Sequence, residues 1–414
     1  MPSVTFTTRG ALRKSALRQA NERLLLNAIR QNPAISRSDL ARITGLSPSS
    51  ISFIVNRLKR EKMVFEEAVA NHSQVGRRPT ALRLAQDAKR AIAVEVALSG
   101  SRVALVDLAG GIVPERLVPW HPNHEILTHR IQSTIRSILG QLDPKQVLGI
   151  GVGLPGTVET ASGRIIAAEN LNWFNLEFGK LLKGRLALPF YFENNAKVAA
   201  LAERWFTEPG RKAPRDFVFI TPVGGLGTGI VTNGHLLQGA SGMAGEFGHI
   251  VLYPDGRKCP CGNRGCLEQY ASDEALCRRY AEEAGADDQR PSDASSIVRM
   301  AREGDPTAAR ALTETARDLA LGFVNLVWVF NPEVLVVGGF IAEGWDIVEE
   351  TIWQVLRSRA PHYILAGLRI YPSRHASDTV LLGAASLVFA QFFTRFHHEG
   401  NEGLDSPVLI HTAD

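Results

Sequence analysis

The chain contains Glu246-Phe247-Gly248-His249 and then Cys259-Pro260-Cys261-Gly262-Asn263-Arg264-Gly265-Cys266-Leu267-Glu268. Three of its four cysteines fall within eight residues, spaced C-x-C-x4-C. In an intracellular chain such crowding favours a metal over a disulfide framework. Soft thiolates select zinc, and a closed structural site takes four ligands. His249 is the nearest fourth donor. The expected cofactor is therefore structural zinc on His249, Cys259, Cys261 and Cys266. Gly262 and Gly265 let the backbone wrap round an ion. Cys277 falls on a helical stretch and reads as a small core residue.

Outward from this knuckle, the pattern is α/β and repeats. Strands are expected at 91–98, 102–108 and 112–118, then a helix over 123–142 and a strand at 147–152. A similar order returns with strands at 216–221 and 229–232, a piece near Leu236, a long helix over 305–330 and a strand at 333–337. The duplication predicts two related lobes around a cleft, and open α/β sheets bind ligands outside the carboxyl ends of their strands. Near the knuckle stand Glu246, His249 and Glu268. Further back stand Asn170, Asn172 and Glu193-Asn194-Asn195. Such acidic and amide side chains suit sugar hydroxyls.

The N-terminal fifth differs in charge. Residues 1–90 hold 17 Lys/Arg against 6 Asp/Glu, a balance of +11, and the remaining 324 carry −7, which restores the chain's +4. A basic segment on an acidic body suggests a nucleic-acid module. Helices are expected over 21–31 and 37–44, the second capped by Ser36 and ended by Gly45. A third starts at Ser47-Pro48 and runs to about Lys62. This reads as a helix-turn-helix. A strand at 64–69, a loop at 70–79 and a strand at 81–84 make a wing tipped by Gly76-Arg77-Arg78-Pro79. Candidate DNA contacts are Ser47, Ser49, Ser50, Ser52, Asn56 and Arg57 on the third helix, with Lys59 and Arg60 suited to phosphates. Arg77 and Arg78 suit the minor groove.

Apolar residues at 45% and charged residues at 21% exclude wholesale disorder and a disulfide miniprotein. No apolar run approaches the ~18 residues of a membrane span, and no signal-peptide core opens the chain. The expected address is the cytoplasm, with no membrane partner.

Glu246-x-Gly-His249 followed by Cys-x-Cys-x4-Cys-x-Glu268 resembles the ROK family of repressors, open reading frames and sugar kinases. Supporting pieces are Gly151–Gly156, Glu169–Trp173, Asn331–Gly339 and Leu382–Ala385. With the winged helix, the chain is similar to the family's transcriptional-regulator branch, the xylose- and N-acetylglucosamine-responsive repressors. The resemblance implies a ribonuclease H-like, actin-like two-lobed body. Its domains would be a winged helix-turn-helix at 1–88, a first lobe at 89–195 and 383–414, and a second lobe at 196–382. It implies that Asn170, Asn194, Asn195, Glu246, His249 and Glu268 bind a sugar, and that the partners are operator DNA and a small sugar or derivative. A homodimer or homotetramer is expected.

The chain departs from the family's kinases. Their Asp-x-Gly-Gly-Thr phosphate turn is Glu95–Ser99 here, with bulky Leu98 in place of glycine. The second turn, usually Gly-Thr-Gly, reads Val223-Gly224-Gly225. The catalytic base is replaced by Asn195, and an amide cannot take a proton. The expected function is a sugar-responsive regulator, a repressor, without catalytic residues. A ROK-type carbohydrate kinase with a fused DNA-binding domain is the alternative, and a zinc sensor the third reading.

Overall fold

A computed structural model describes residues 14–32, 34–68, 80–207, 213–285 and 293–394. The described residues up to Lys89 and from Phe389 onward form one compact unit, and Arg90–Val388 form another. No helix among the described residues is long and apolar enough to cross a membrane.

The N-terminal unit holds α1 (Lys14–Gln31), α2 (Arg37–Thr44), α3 (Pro48–Arg60), β1 (Val64–Ala68) and β2 (Thr80–Leu84). Its helix ends follow the local code. Ser36 and Asp39 form a capping box on α2, and Gly45 ends that helix in the left-handed conformation. Ser47 caps α3 by accepting from the Ser50 amide, with Pro48 in the first turn. Leu25, Leu40, Ile51, Val55, Leu58 and Leu82 fill the core. Strands β1 and β2 pair antiparallel. Residues 69–79 lie outside the described ones, so the wing tip with Arg77 and Arg78 does too.

The first lobe of the second unit contains β3 (Arg90–Glu95), β4 (Ser101–Asp107), β5 (Ile112–Val118), α4 (His124–Leu139) and β6 (Val147–Leu154). A small sheet of β7 (Thr157–Glu159), β8 (Arg164–Ala168) and β9 (Trp173–Leu176) follows. Then come α5 (Phe178–Lys183), β10 (Phe190–Asn194) and α6 (Asn195–Trp205). The main sheet runs β10-β6-β3-β4-β5. Strand β6 pairs parallel with both β3 and β10 and is buried almost throughout, as an inner parallel strand should be.

The second lobe contains β11 (Phe217–Thr221), β12 (Gly227–Thr232), β13 (His235–Leu236), α7 (Glu268–Ala271), α8 (Asp273–Ala284), α9 (Ala294–Arg302) and α10 (Pro306–Phe330). After these come β14 (Val334–Val337), α11 (Gly339–Glu343), α12 (Trp345–Arg359), α13 (His362–Leu365) and β15 (Arg369–Pro372), while α14 (Thr379–Thr394) packs through Gly383 and Ala384 against α6 and β6 of the first lobe. The second-lobe sheet runs β13-β12-β11-β14-β15. The two five-stranded sheets realise the expected duplication. The apolar alternation hid the β7–β9 sheet, because its strands are short and only partly buried. The long helix α10 starts at the Asp305 cap with Pro306 and stops at Asn331 in the left-handed region. The sequence placed 383–414 in the first lobe; of the described residues in that range, those from Phe389 group with the N-terminal unit. The Arg30 guanidinium over the Phe393 ring, 5.9 Å from its centroid, is one reason.

Candidate functional site

An open cleft lies at the carboxyl ends of β6, β10 and β11. Gly156, Glu169, Asn170, Asn194 and Asn195 line it from the first lobe and the start of α6. Gly224, Gly225, Glu246, His249, Cys261 and Glu268 line it from the second lobe. All six expected sugar residues therefore meet at one cavity.

Their roles differ. Asn194 caps α6, its Oδ1 accepting from the Ala196 and Lys197 amides at 2.9 and 3.2 Å, while its Nδ2 donates to the Gly156 carbonyl at 2.8 Å. Most of its hydrogen-bonding capacity is spent on the fold. Asn195 donates through Nδ2 to the Val96 carbonyl at 3.1 Å, and its buried Oδ1 has no partner. Asn170 donates to the Gly224 carbonyl at 2.5 Å, linking the two sides of the cleft. Glu268 is fixed by the Leu226 amide at 3.0 Å.

Burial pushes the Glu246 carboxyl up, against the pull of His249 and Lys197 and with the repulsion of Glu169 and Glu268. Burial also raises Glu268, opposed by the Leu226 amide. Sequence reasoning missed Glu169, which adjoins Asn170 and faces the same cavity. Glu193, read from the sequence among the side chains suited to sugar hydroxyls, is instead buried behind the site, as is Lys197. Glu193 accepts from Gln238 Nε2 at 2.8 Å, and burial raises its carboxyl. Lys197, 2% exposed, donates to the Gly242 carbonyl. These bonds brace the 238–246 loop that delivers Glu246. The spacing Glu193–Lys197 on either side of a helix cap was the available signal.

His249, Cys259, Cys261 and Cys266 bring one donor atom each within 4.8 Å of the others, a group able to hold a metal ion. Burial pushes the Cys259 thiol up to about 12 and raises Cys266, so a bound cation is what would favour the thiolates. The Gln269 Nε2 donates towards Cys259 Sγ at 3.8 Å. The loop's tight return depends on Gly265. Its φ is +71°, and an added Cβ would lie 1.6 Å from the Tyr253 carbonyl oxygen. Cys277, half-buried on α8, stands apart from this group.

Opposite the sugar side, the Glu95–Ser99 turn is built differently. Leu98 is 55% exposed on it. Arg102 holds Glu95 at 3.3 Å, Glu115 at 2.7 Å and Asp378 at 2.5 Å, and donates to the Ser377 carbonyl at 2.6 Å. Burial pushes Glu95 up to about 7, outweighing an Arg102 charge shared among three carboxylates. The expected loss of Gly-Thr-Gly is not found. Gly-Thr-Gly is present, at Gly227-Thr228-Gly229, where β12 begins. Gly227 and Gly229 let the strand approach α6, since a Cβ would meet Ala196 Cβ at 2.6 Å or Ala200 Cβ at 2.5 Å. Thr228 donates to the Gly245 carbonyl. Val223–Gly225 is a separate cleft loop, so the second turn does not distinguish this chain from kinases.

On α3, Ser49, Phe53 and Asn56 are exposed, and Ser52 is partly so. Phe53, 61% exposed, was missed because spacing assigns it to no inward face. Arg57 is tied to Glu61 at 2.8 Å and Glu22 at 3.4 Å, and Lys59 to Glu66. Asn56 accepts from Arg37 at 2.9 Å. Arg57 and Asn56 thus have partners within the protein that a DNA contact must displace.

The profile of the ROK family matches residues 91–391, and that of a winged helix-turn-helix DNA-binding domain matches residues 18–64. A xylose repressor of Caldicellulosiruptor bescii is 29% identical over 396 residues, covering 91% of this chain and 97% of that protein. A glucokinase of Streptomyces coelicolor is 32% identical over 276 residues, covering 63% of this chain and 86% of that one. The crystal structure of a ROK family transcriptional regulator, described as a homologue of the E. coli MLC protein, superposes with a TM-score of 0.75. It is 27% identical and covers 91% of this chain and 97% of its own.

Proposed function

Because the chain belongs to the ROK family and carries a winged helix-turn-helix domain, we propose the following reading of how it works. The protein is a sugar-responsive DNA-binding transcriptional repressor of carbohydrate-metabolism genes. It acts in the cytoplasm as a homodimer or homotetramer that places paired α3 helices on a two-fold operator. On α3, Ser47, Ser49, Ser50, Ser52 and Asn56 meet base edges, joined by Phe53, whose ring suits thymine methyl groups. Arg57, Arg77 and Arg78 contact the backbone and minor groove.

The observation that carries the sugar reading is the cleft's surplus of acceptors. The carboxylates of Glu246 and Glu268 line a cavity to which no described lysine or arginine contributes, so a ligand there must supply hydrogen-bond donors, as a polyhydroxylated sugar does. The metal is zinc. Tetrahedral zinc with Zn–S near 2.3 Å and Zn–N near 2.0–2.1 Å has ligand edges of about 3.8 Å between sulfurs and about 3.6 Å from sulfur to nitrogen. Cys261 and Cys266 Sγ are 3.8 Å apart, and Cys259 Sγ is 3.6 Å from His249 Nδ1. The zinc fixes the loop that aims His249, whose Nε2 is left for the sugar.

Sugar phosphorylation is not supported, because Asn195 cannot accept a proton. A titration of labelled operator DNA against the full chain, with and without a panel of monosaccharides, tests the reading. One sugar should release the DNA, and the same sugar with ATP should give no ADP. Sugar-stimulated ADP release at ~1 s⁻¹ or faster, the range of working enzymes, would favour the kinase reading.

A further inference from the structure

The cleft is acidic on both sides. Glu169 approaches from the first residue of the short turn Glu169–Leu171, and Glu246 and Glu268 from the second lobe. No lysine or arginine lines the cavity among the described residues. Lys197 is buried behind it and turned onto the Gly242 carbonyl. Zinc on three thiolates and a neutral imidazole adds a net charge of −1 to the same wall.

Glu169 and Glu268 differ in their commitments. Glu268 is fixed by the Leu226 amide. No described residue donates to the Glu169 side chain, yet its charge reaches both Glu246 and Glu268. It is carried by the segment that Asn170 ties across the cleft to Gly224. A ligand enclosed there sits among three carboxylates, where partial burial weakens solvent screening.

We infer that the cleft selects its effector by charge, admitting neutral or amine-bearing sugars and turning away sugar phosphates and sugar acids, with Glu169 setting that selection. The inference rests on the sugar reading above. An anion gains no counter-charge in this cavity and must approach Glu169 without a cation between them. A protonated amine gains a partner that the fold leaves available. Removing Glu169's charge leaves the hydroxyl readers and the metal ligands in place, so it separates selection from binding.

The test uses the full-length, zinc-loaded protein and calorimetric titration with glucose, mannose, xylose, glucosamine, glucose 6-phosphate, mannose 6-phosphate and gluconate. Each 6-phosphate should bind at least about tenfold more weakly than its parent sugar. Glu169→Gln should narrow that gap about threefold or more and weaken glucosamine relative to glucose. Glu169→Asp, which keeps the charge, should preserve the gap. A 6-phosphate binding as tightly as its parent overturns the inference, as does a gap unchanged in Glu169→Gln. Both results leave the sugar reading standing. If no sugar binds while operator binding persists, the sugar reading fails and the inference falls with it.

Discussion

On the second-lobe side of the cleft, Glu246, His249 and Glu268 stand at one cavity beside a ready-made metal group. On the first-lobe side, the turn after β3 carries Leu98, and the adjoining strand ends are knotted by Arg102 to Glu95, Glu115 and Asp378. In the proposed reading, the first side holds a hydroxylated ligand together with Asn170 from the other side. The second is occupied by its own ion pairs and offers no open glycine cradle for phosphate. In the proposed reading, sugar binding can therefore persist without a phosphate turn at Glu95–Ser99. Asn195, at the start of α6, spends its donor on the Val96 carbonyl, and its Oδ1 is buried without a partner.

The comparison breaks most readily at the metal. Cys261→Ser should lower zinc from about one per chain to near zero, cut thermal stability and abolish the sugar response, since metal binding is coupled to local folding. Elemental analysis with a melting curve checks this, and a wild-type chain free of zinc without chelators removes the assignment. Next in size is the sugar wall. Glu246→Ala should weaken sugar binding about 10–100-fold, the 1.5–3 kcal/mol of a charged hydrogen bond, with operator affinity unchanged. Equal losses of sugar and DNA binding would mean that the fold had failed instead.

Asn195 gives the third test. Asn195→Asp exchanges the donor facing Val96 for an acceptor, leaving two oxygens opposed. It should cost roughly 1–3 kcal/mol in chemical denaturation and create no kinase. A stable Asn195→Asp protein that phosphorylates sugar would show that the first-lobe wall still holds ATP. The smallest effect belongs to the knot. With Glu95 raised to about 7, the native chain keeps a proton over a range where the unfolded chain has lost it. Its contribution to stability is full below the ordinary carboxylate range and lost as pH rises through about 7. Glu95→Gln should therefore flatten the fall in stability between pH 5 and 7 by up to about 1.4 kcal/mol per pH unit. Parallel slopes for the two proteins would show that Glu95 titrates normally.

The sequence alone determined what depends on near neighbours. The caps at Ser36 and Ser47, the stop at Gly45 and the metal group from His249 to Cys266 are set within short stretches, where spacing states geometry. The sugar-side residues were legible as types, and their convergence followed from the duplicated α/β pattern. Only the tertiary structure decided which of them are free to bind. Asn194 is largely spent as a helix cap, Asn195 is turned by the carbonyl of Val96, and Glu169 enters the cavity from the three-residue turn between β8 and β9, too short to show periodicity. It also decided that Arg102 meets Asp378, 276 residues away along the chain. Spacing carries no information at that separation. Such contacts arise only when packing of two buried sheets fixes which loops face each other, and that packing depends on the whole core.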